Sequence, residues 1–150
     1  EHHAHIIVFG TERDQPETSL FFSALKNAEC VHSALGHFKL EELKAVIGKL
    51  DLFVAADTGP VYIAEALNVA TVDIVGPVDE RIQPPIGPRH RVVVPPGPRI
   101  PQVTVLNAKW FDVVEARRQA ESTTIESVIT EINDLLLSEV LSKDYSRIPN

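Results

Sequence analysis

Methionine is absent from the 150 residues, and cysteine and tryptophan occur once each. A chain that opens on Glu1 and has no methionine is expected to be part of a longer polypeptide. The lone Cys30 has no second cysteine to pair with, which fits a reducing compartment. No apolar run approaches the roughly 18 to 20 residues that cross a bilayer. No basic start, apolar core and small-residue cleavage site is visible either. Positive charge is in short supply: 14 Lys and Arg stand against 21 Asp and Glu, a net charge of −7, with no basic run. Phosphate neutralisation supplies most nucleic-acid affinity, so nucleic acid is not an expected partner. The G-x-G-x-x-G dinucleotide fingerprint, the G-x-x-x-x-G-K-[ST] phosphate loop and a D-x-D pair are all missing, so no cofactor or metal is expected.

What remains is ordinary globular composition, 44% hydrophobic and 23% charged. Ala4 to Phe9 is short, apolar and β-branched and stops at Gly10, the pattern of a buried strand. Asp14, Gln15 and Pro16 signal a helix start, and the helix is expected to run to Ala28 with Leu20, Phe21, Ala24 and Leu25 on one face. Val31 to Leu35 reads as a second strand, Leu40 to Lys49 as a helix and Asp51 to Ala56 as a third strand. A helix from Pro60 to about Asn68 follows, with Ile63, Ala64 and Leu67 inward, then a strand from Ala70 to Val75. Prolines and glycines make loops of 78–90 and 95–101 around a short strand, Arg91 to Val94. Two helices close the chain, Lys109 to Glu121 and Thr124 to Leu137, the second with Ile125, Val128, Ile129, Ile132 and Leu136 as its apolar stripe. Strands alternating with helices through short links predict an α/β domain, Rossmann-like, with a parallel sheet covered on both faces. Residues 1–150 are read as one such domain, with 1–3 a tag remnant or disordered start and 138–150 a C-terminal extension.

In this architecture ligands bind beyond the carboxyl ends of the strands, which directs attention to the loops after Phe9, Ala56 and Val75. Asp57-Thr58-Gly59-Pro60 joins an apolar strand to a helix. With Pro60 at the first helical position, Gly59 is the expected N-cap, and the amides beyond it and the helix dipole suit a phosphate. The plainer alternative is a tight turn in which Asp57 bonds to neighbouring amides. After the fourth strand, Gly76-Pro77-Val78-Asp79-Glu80-Arg81 carries polar groups across the expected cleft. Arg81, Arg89, Arg91 and Arg99 are there to neutralise a phosphorylated ligand, or are simply solvated loop residues. Glu12 offers a carboxylate at the first strand end. His3 and His5 share a strand face, as metal ligands would, although a tag remnant or solvated end explains them as well. His32, His37 and His90 are scattered, and Trp110 and Phe111 read as packing residues.

An apolar strand ending in Gly10, then Leu40-Glu41-Glu42-Leu43, Asp51-Leu52-Phe53-Val54-Ala55-Ala56-Asp57-Thr58-Gly59-Pro60, and Gly76-Pro77-Val78-Asp79, resembles glycosyltransferase family 9, the group of the ADP-heptose:lipopolysaccharide heptosyltransferases. The likeness covers most of residues 4–94, and the last helix resembles that family's closing helix. It implies a GT-B enzyme of two Rossmann-like halves, of which this chain is the C-terminal, donor-binding one. The expected partners are a nucleotide-sugar donor such as ADP-heptose and the N-terminal, acceptor-binding half of the same polypeptide, through which peripheral membrane contact would come.

By that resemblance Asp57 contacts donor sugar hydroxyls, Thr58 and Gly59 lie at the diphosphate, Phe38 flanks the adenine, and Pro60 and Tyr62 belong to the same donor site. Glu12 holds the ribose, with Glu17 as the alternative, and Asp79 belongs to the same donor site. The family often has histidine at the position of Tyr62 and threonine at that of Val78. Its metal-independent, inverting reaction uses a general base from the N-terminal half, so no catalytic residue is expected in this chain and the fragment alone is expected to be inactive. Two other readings stand beside it: a GT-B epimerase or hydrolase of nucleotide sugars, and a non-catalytic α/β interaction module.

Overall fold

The computed structural model describes residues 4–26, 28–82, 87–101 and 112–145, with side chains to 138. It divides into two compact units, 1–46 and 47–150, each with its own parallel sheet.

In the first unit β1 (Ile6–Val8) pairs with β2 (Val31–Ser33), Ile6 opposite Val31 and Val8 opposite Ser33. The pairing extends past both strand ends, since Ala34 N–H donates to Val8 O at 2.9 Å and Gly36 N–H to Gly10 O at 2.9 Å. Between the strands run a short 3-10 turn, Glu12–Asp14, and α1 (Gln15–Ala24). Asp14 caps the start of the turn by accepting from the Thr11 amide at 2.7 Å and hydroxyl at 2.9 Å, and these bonds hold its carboxyl below the usual range.

Two expectations for this unit fail. β1 is not buried, Ile6 and Ile7 being 49% and 38% exposed. Helix α1 ends four residues early, where Leu25 turns extended, and its only buried residue is Thr18; Leu20 and Phe21 face solvent. Apolar content decided both expectations, yet it cannot say whether a covering layer exists. Helix α2 (Leu40–Ile47) closes the unit, its last residue passing into the next. Glu42 caps its start by accepting from the Lys39 amide at 2.8 Å.

The second unit is built on β3 (Leu52–Ala56), β4 (Ala70–Ile74) and β5 (His90–Val93) in that order, all parallel, with Leu52 opposite Ala70 and Thr71 opposite His90. Helix α3 (Gly59–Ala66) crosses from β3 to β4 and packs on both. Helix α4 (Val113–Ser122) is capped by Asp112, which accepts from the amides of Val114 and Glu115. Helix α5 (Ile125–Tyr145) packs on β4 and β5. Side chains alternate along a strand, so Ala70 and Val72 share one face of β4 and Thr71 and Asp73 the other. All four are buried, so both faces are covered, as a parallel sheet requires.

Ala70, Val72 and Val93 form the core with Leu135, flanked by Leu52, Val128 and Ile132. The stripe of α5 is therefore 128/132/135; Ile125 and Ile129, expected on it, are exposed. On α3 the inward residues are Val61 and Ala64 rather than Ile63, Ala64 and Leu67, because the helix starts at Gly59 and Leu67 falls past its end. Residues 109–111, with Trp110 and Phe111, lie outside the described residues.

Candidate functional site

The carboxyl ends of β3 and β4 lead to the first candidate. Asp57 still belongs to the ladder, its N–H donating to Ile74 O at 3.2 Å, so its side chain stands at the rim of the sheet. Thr58, with extended φ and ψ of −144° and 166°, is the N-cap of α3. This corrects the expected cap at Gly59: Pro60 occupies the second helical position, and Gly59 is already helical. The Thr58 hydroxyl makes no capping bond, and the first turn carries no acidic residue, so the positive end of the helix dipole is left open. Gly59 has no positive φ, and a Cβ placed there would meet no atom within 4 Å. Neither backbone geometry nor packing demands glycine at that position.

Tyr62, one turn into α3, donates its hydroxyl to Asp57 Oδ1 at 3.1 Å. Burial first, then the Asp57 carboxylate, push the phenol up to about 12, so it remains a donor. On the same side of the sheet, Asp73 is 1% exposed, and its Oδ1 has no hydrogen-bond partner among the described residues. Burial, helped by the charge of Asp57, raises its carboxyl to about 6. Sequence reasoning missed this residue; the signal was an acid inside the otherwise uncharged strand Ala70 to Val75.

Asp79 is taken up locally. Its two oxygens accept from Arg81 Nε and Nη2, both at 2.8 Å, and from the Arg81 amide at 3.1 Å, which brings its carboxyl down to about 2. Arg99 pairs with Glu80 and donates to Val78 O at 3.2 Å. Arg89 donates to Asn68 O, and Arg91 to Pro88 O and His90 O with Glu131 at 4.0 Å. The four arginines expected to neutralise a ligand thus each have protein partners.

In the first unit, Gly10, Thr11, Glu12, Arg13, Gly36 and Phe38 line an open cleft of about 350 Å³. Two of the expected site residues, Glu12 and Phe38, come together here; Glu17 is exposed on α1 and does not line it. Gly36 has a φ of +66°, and a Cβ there would lie 3.0 Å from Glu12 Cγ, so the glycine lets the Glu12 chain lie over the backbone. The Phe38 ring leans on Phe9, centroids 6.1 Å apart, and keeps 38% of its surface exposed. An exposed aromatic face beside a carboxylate suits a nucleoside, with stacking for the base and hydrogen bonds for hydroxyls.

His5 stacks on His32 at 5.9 Å, and His3 lies outside the described residues. Among the described residues no group of three His, Cys, Asp or Glu could hold a metal ion, and no helix is long and apolar enough to cross a membrane.

The family model described as glycosyltransferase family 9 (heptosyltransferase) matches residues 1–108. Two solved structures share the fold. One is Escherichia coli ADP-heptose LPS heptosyltransferase II, at 22% identity and a TM-score of 0.67, over 90% of this chain and 37% of that one. The other is a family 9 glycosyl transferase from Veillonella parvula, at 19% identity and a TM-score of 0.69, over 88% and 36%. The chain therefore spans little more than a third of either structure. No curated protein sequence matches it.

Proposed function

The chain belongs to glycosyltransferase family 9, and on that premise we propose that it is the donor-binding portion of an inverting glycosyltransferase, taking an ADP-heptose-like nucleotide sugar. The observation that carries the proposal is the start of α3. An uncapped helix end, at the carboxyl edge of a parallel sheet, opens on a glycine that neither dihedral angle nor packing requires. Backbone approach by an anion accounts for that glycine. Asp57, oriented by Tyr62, is placed to accept from sugar hydroxyls. The cleft of Glu12 and Phe38 supports a nucleoside independently, within its own unit.

In the transfer reaction the start of α3 would hold the donor diphosphate and stabilise it as it departs, through helix amides and dipole. Deprotonating the acceptor belongs to a group outside this chain, so the chain alone binds the donor without turning it over. The acceptor is a lipopolysaccharide-core saccharide, and the setting is cytoplasmic.

Calorimetric titration with ADP, repeated on Asp57→Ala and Gly59→Val, tests the α3 start; adenosine with Phe38→Ala tests the cleft by itself. Equal ADP affinity in all three proteins removes the helix start from the site. Product analysis of the longer polypeptide, with and without a saccharide acceptor, separates transfer from hydrolysis or epimerisation of the donor.

A further inference from the structure

The face of the second sheet that α3 covers is unusually polar for the interior of a parallel sheet. Alternation places Thr71, Asp73 and His90 on it, against α3, which brings Tyr62 and Glu65. Thr71 is satisfied by donating to Val69 O at 2.9 Å. Asp73 is not: a full carboxyl lies 1% exposed with one oxygen unpartnered. It sits opposite Ala55, one pleat further into the sheet than Asp57, and both carboxyls act on the Tyr62 hydroxyl.

We propose that Asp73 is a positioning residue for donor binding, whose buried carboxyl sets how much negative charge an anionic sugar nucleotide meets at Asp57 and Tyr62. This rests on the donor-binding reading of the α3 start. With its proton, Asp73 leaves Asp57 as a single anion held by Tyr62, and the helix dipole faces the diphosphate. Once ionised, it adds a second, buried negative charge one pleat behind Asp57, and it repels the donor.

The other groups around it are few. Asp57 stands beyond β3, Tyr62 and Glu65 come from α3, and His90 comes from β5 on the same face; Arg91 is turned to the α5 side, where it meets Glu131. Burial lowers the imidazole of His90, so that residue also changes charge on the acidic side of neutrality. His90 is present in both wild type and Asp73→Asn, so the difference between the two pH profiles reads the Asp73 carboxyl and whatever it imposes on that neighbour.

The experiment is calorimetric titration of ADP-glucose into both proteins from about pH 5 to about pH 8, a range in which its diphosphate diester keeps its charge. The wild-type dissociation constant should rise about three- to tenfold more than that of Asp73→Asn across this range. Parallel pH profiles overturn the role of Asp73 and leave donor binding standing. No saturable binding by either protein at any pH overturns the donor-binding reading and this inference with it. Should Asp73→Asn not fold, carbon-13 titration of the wild-type carboxyls decides. Binding that prefers neutral Asp73 must raise its titration midpoint when ADP-glucose is added, by linkage, and an unmoved midpoint overturns the inference.

Discussion

The Tyr62 hydroxyl donates to Asp57 Oδ1 across 3.1 Å, tying the first turn of α3 to the end of β3. This bond engages one oxygen of a carboxylate at the rim of the sheet. Tyr62→Phe keeps the ring and removes the bond. A hydrogen bond to a charged group is worth about 1.5 to 3 kcal/mol, and here it is partly exposed, so we expect the lower end, roughly tenfold weaker ADP-glucose binding. Calorimetry on the variant checks it. An unchanged affinity would mean that Asp57 needs no help from Tyr62.

Asp73 gives a stability prediction that needs no ligand. Its carboxyl titrates near 6 in the fold, above the ordinary 3.8. Well below pH 3.8 the carboxyl is protonated in folded and unfolded chains alike, and it carries no penalty. As pH rises through 6 the folded state must ionise a buried group, so stability is lost with increasing pH. Asp73→Asn removes this dependence. Its unfolding free energy relative to wild type should improve by about 2 to 3 kcal/mol between pH 4 and pH 8. Urea unfolding at several pH values measures it, and a constant difference rejects it.

Much of this arrangement was legible in the sequence because it is written in local signals. Gly10, Gly36, Gly59 and Gly76-Pro77 punctuate the strands and helices, and the apolar runs Leu52–Ala56 and Ala70–Ile74 became β3 and β4. Glu12 stands out in the sequence as a carboxylate at a strand end and Phe38 only through the family resemblance; that both line one cleft is information only the folded unit holds. Tertiary context supplied the rest. Whether Ile6, Leu20 or Ile125 is covered depends on layers that no local pattern encodes. Burial turned Asp73 from a strand residue into a perturbed acid, and bidentate pairing with Arg81 turned Asp79 inward upon its own loop.

Two arginines near that loop separate structural from superficial ion pairs. Arg99 exposes 11% of its side chain, pairs with Glu80 and also donates to Val78 O, so it holds the segment after β4 against the 95–101 loop. Arg81 pairs with Asp79, two residues away, and is 78% exposed. Arg99→Ala should destabilise by about 1 to 3 kcal/mol, whereas Arg81→Ala should stay within about 0.5 kcal/mol of wild type. Denaturant midpoints at constant slope distinguish them, and equal effects would contradict the burial argument.

Gly10 and Gly59 both end a strand-to-helix passage, and adding one methyl group to each should have opposite consequences. At Gly10 a Cβ would stand 2.6 Å from Leu35 Cδ2 and 3.0 Å from Asp14 Oδ2, the oxygen that caps the Thr11 turn. The Leu35 side-chain end must shift and the Asp14 cap is crowded, so Gly10→Ala should destabilise by about 1 kcal/mol. At Gly59 the same atom meets empty space, and Gly59→Ala should leave unfolding within about 0.5 kcal/mol of wild type. If that empty space is where a diphosphate approaches the backbone, affinity for ADP should still fall, and fall further in Gly59→Val. A Gly59 variant that folds and binds like wild type would show that ligand approach does not explain the glycine.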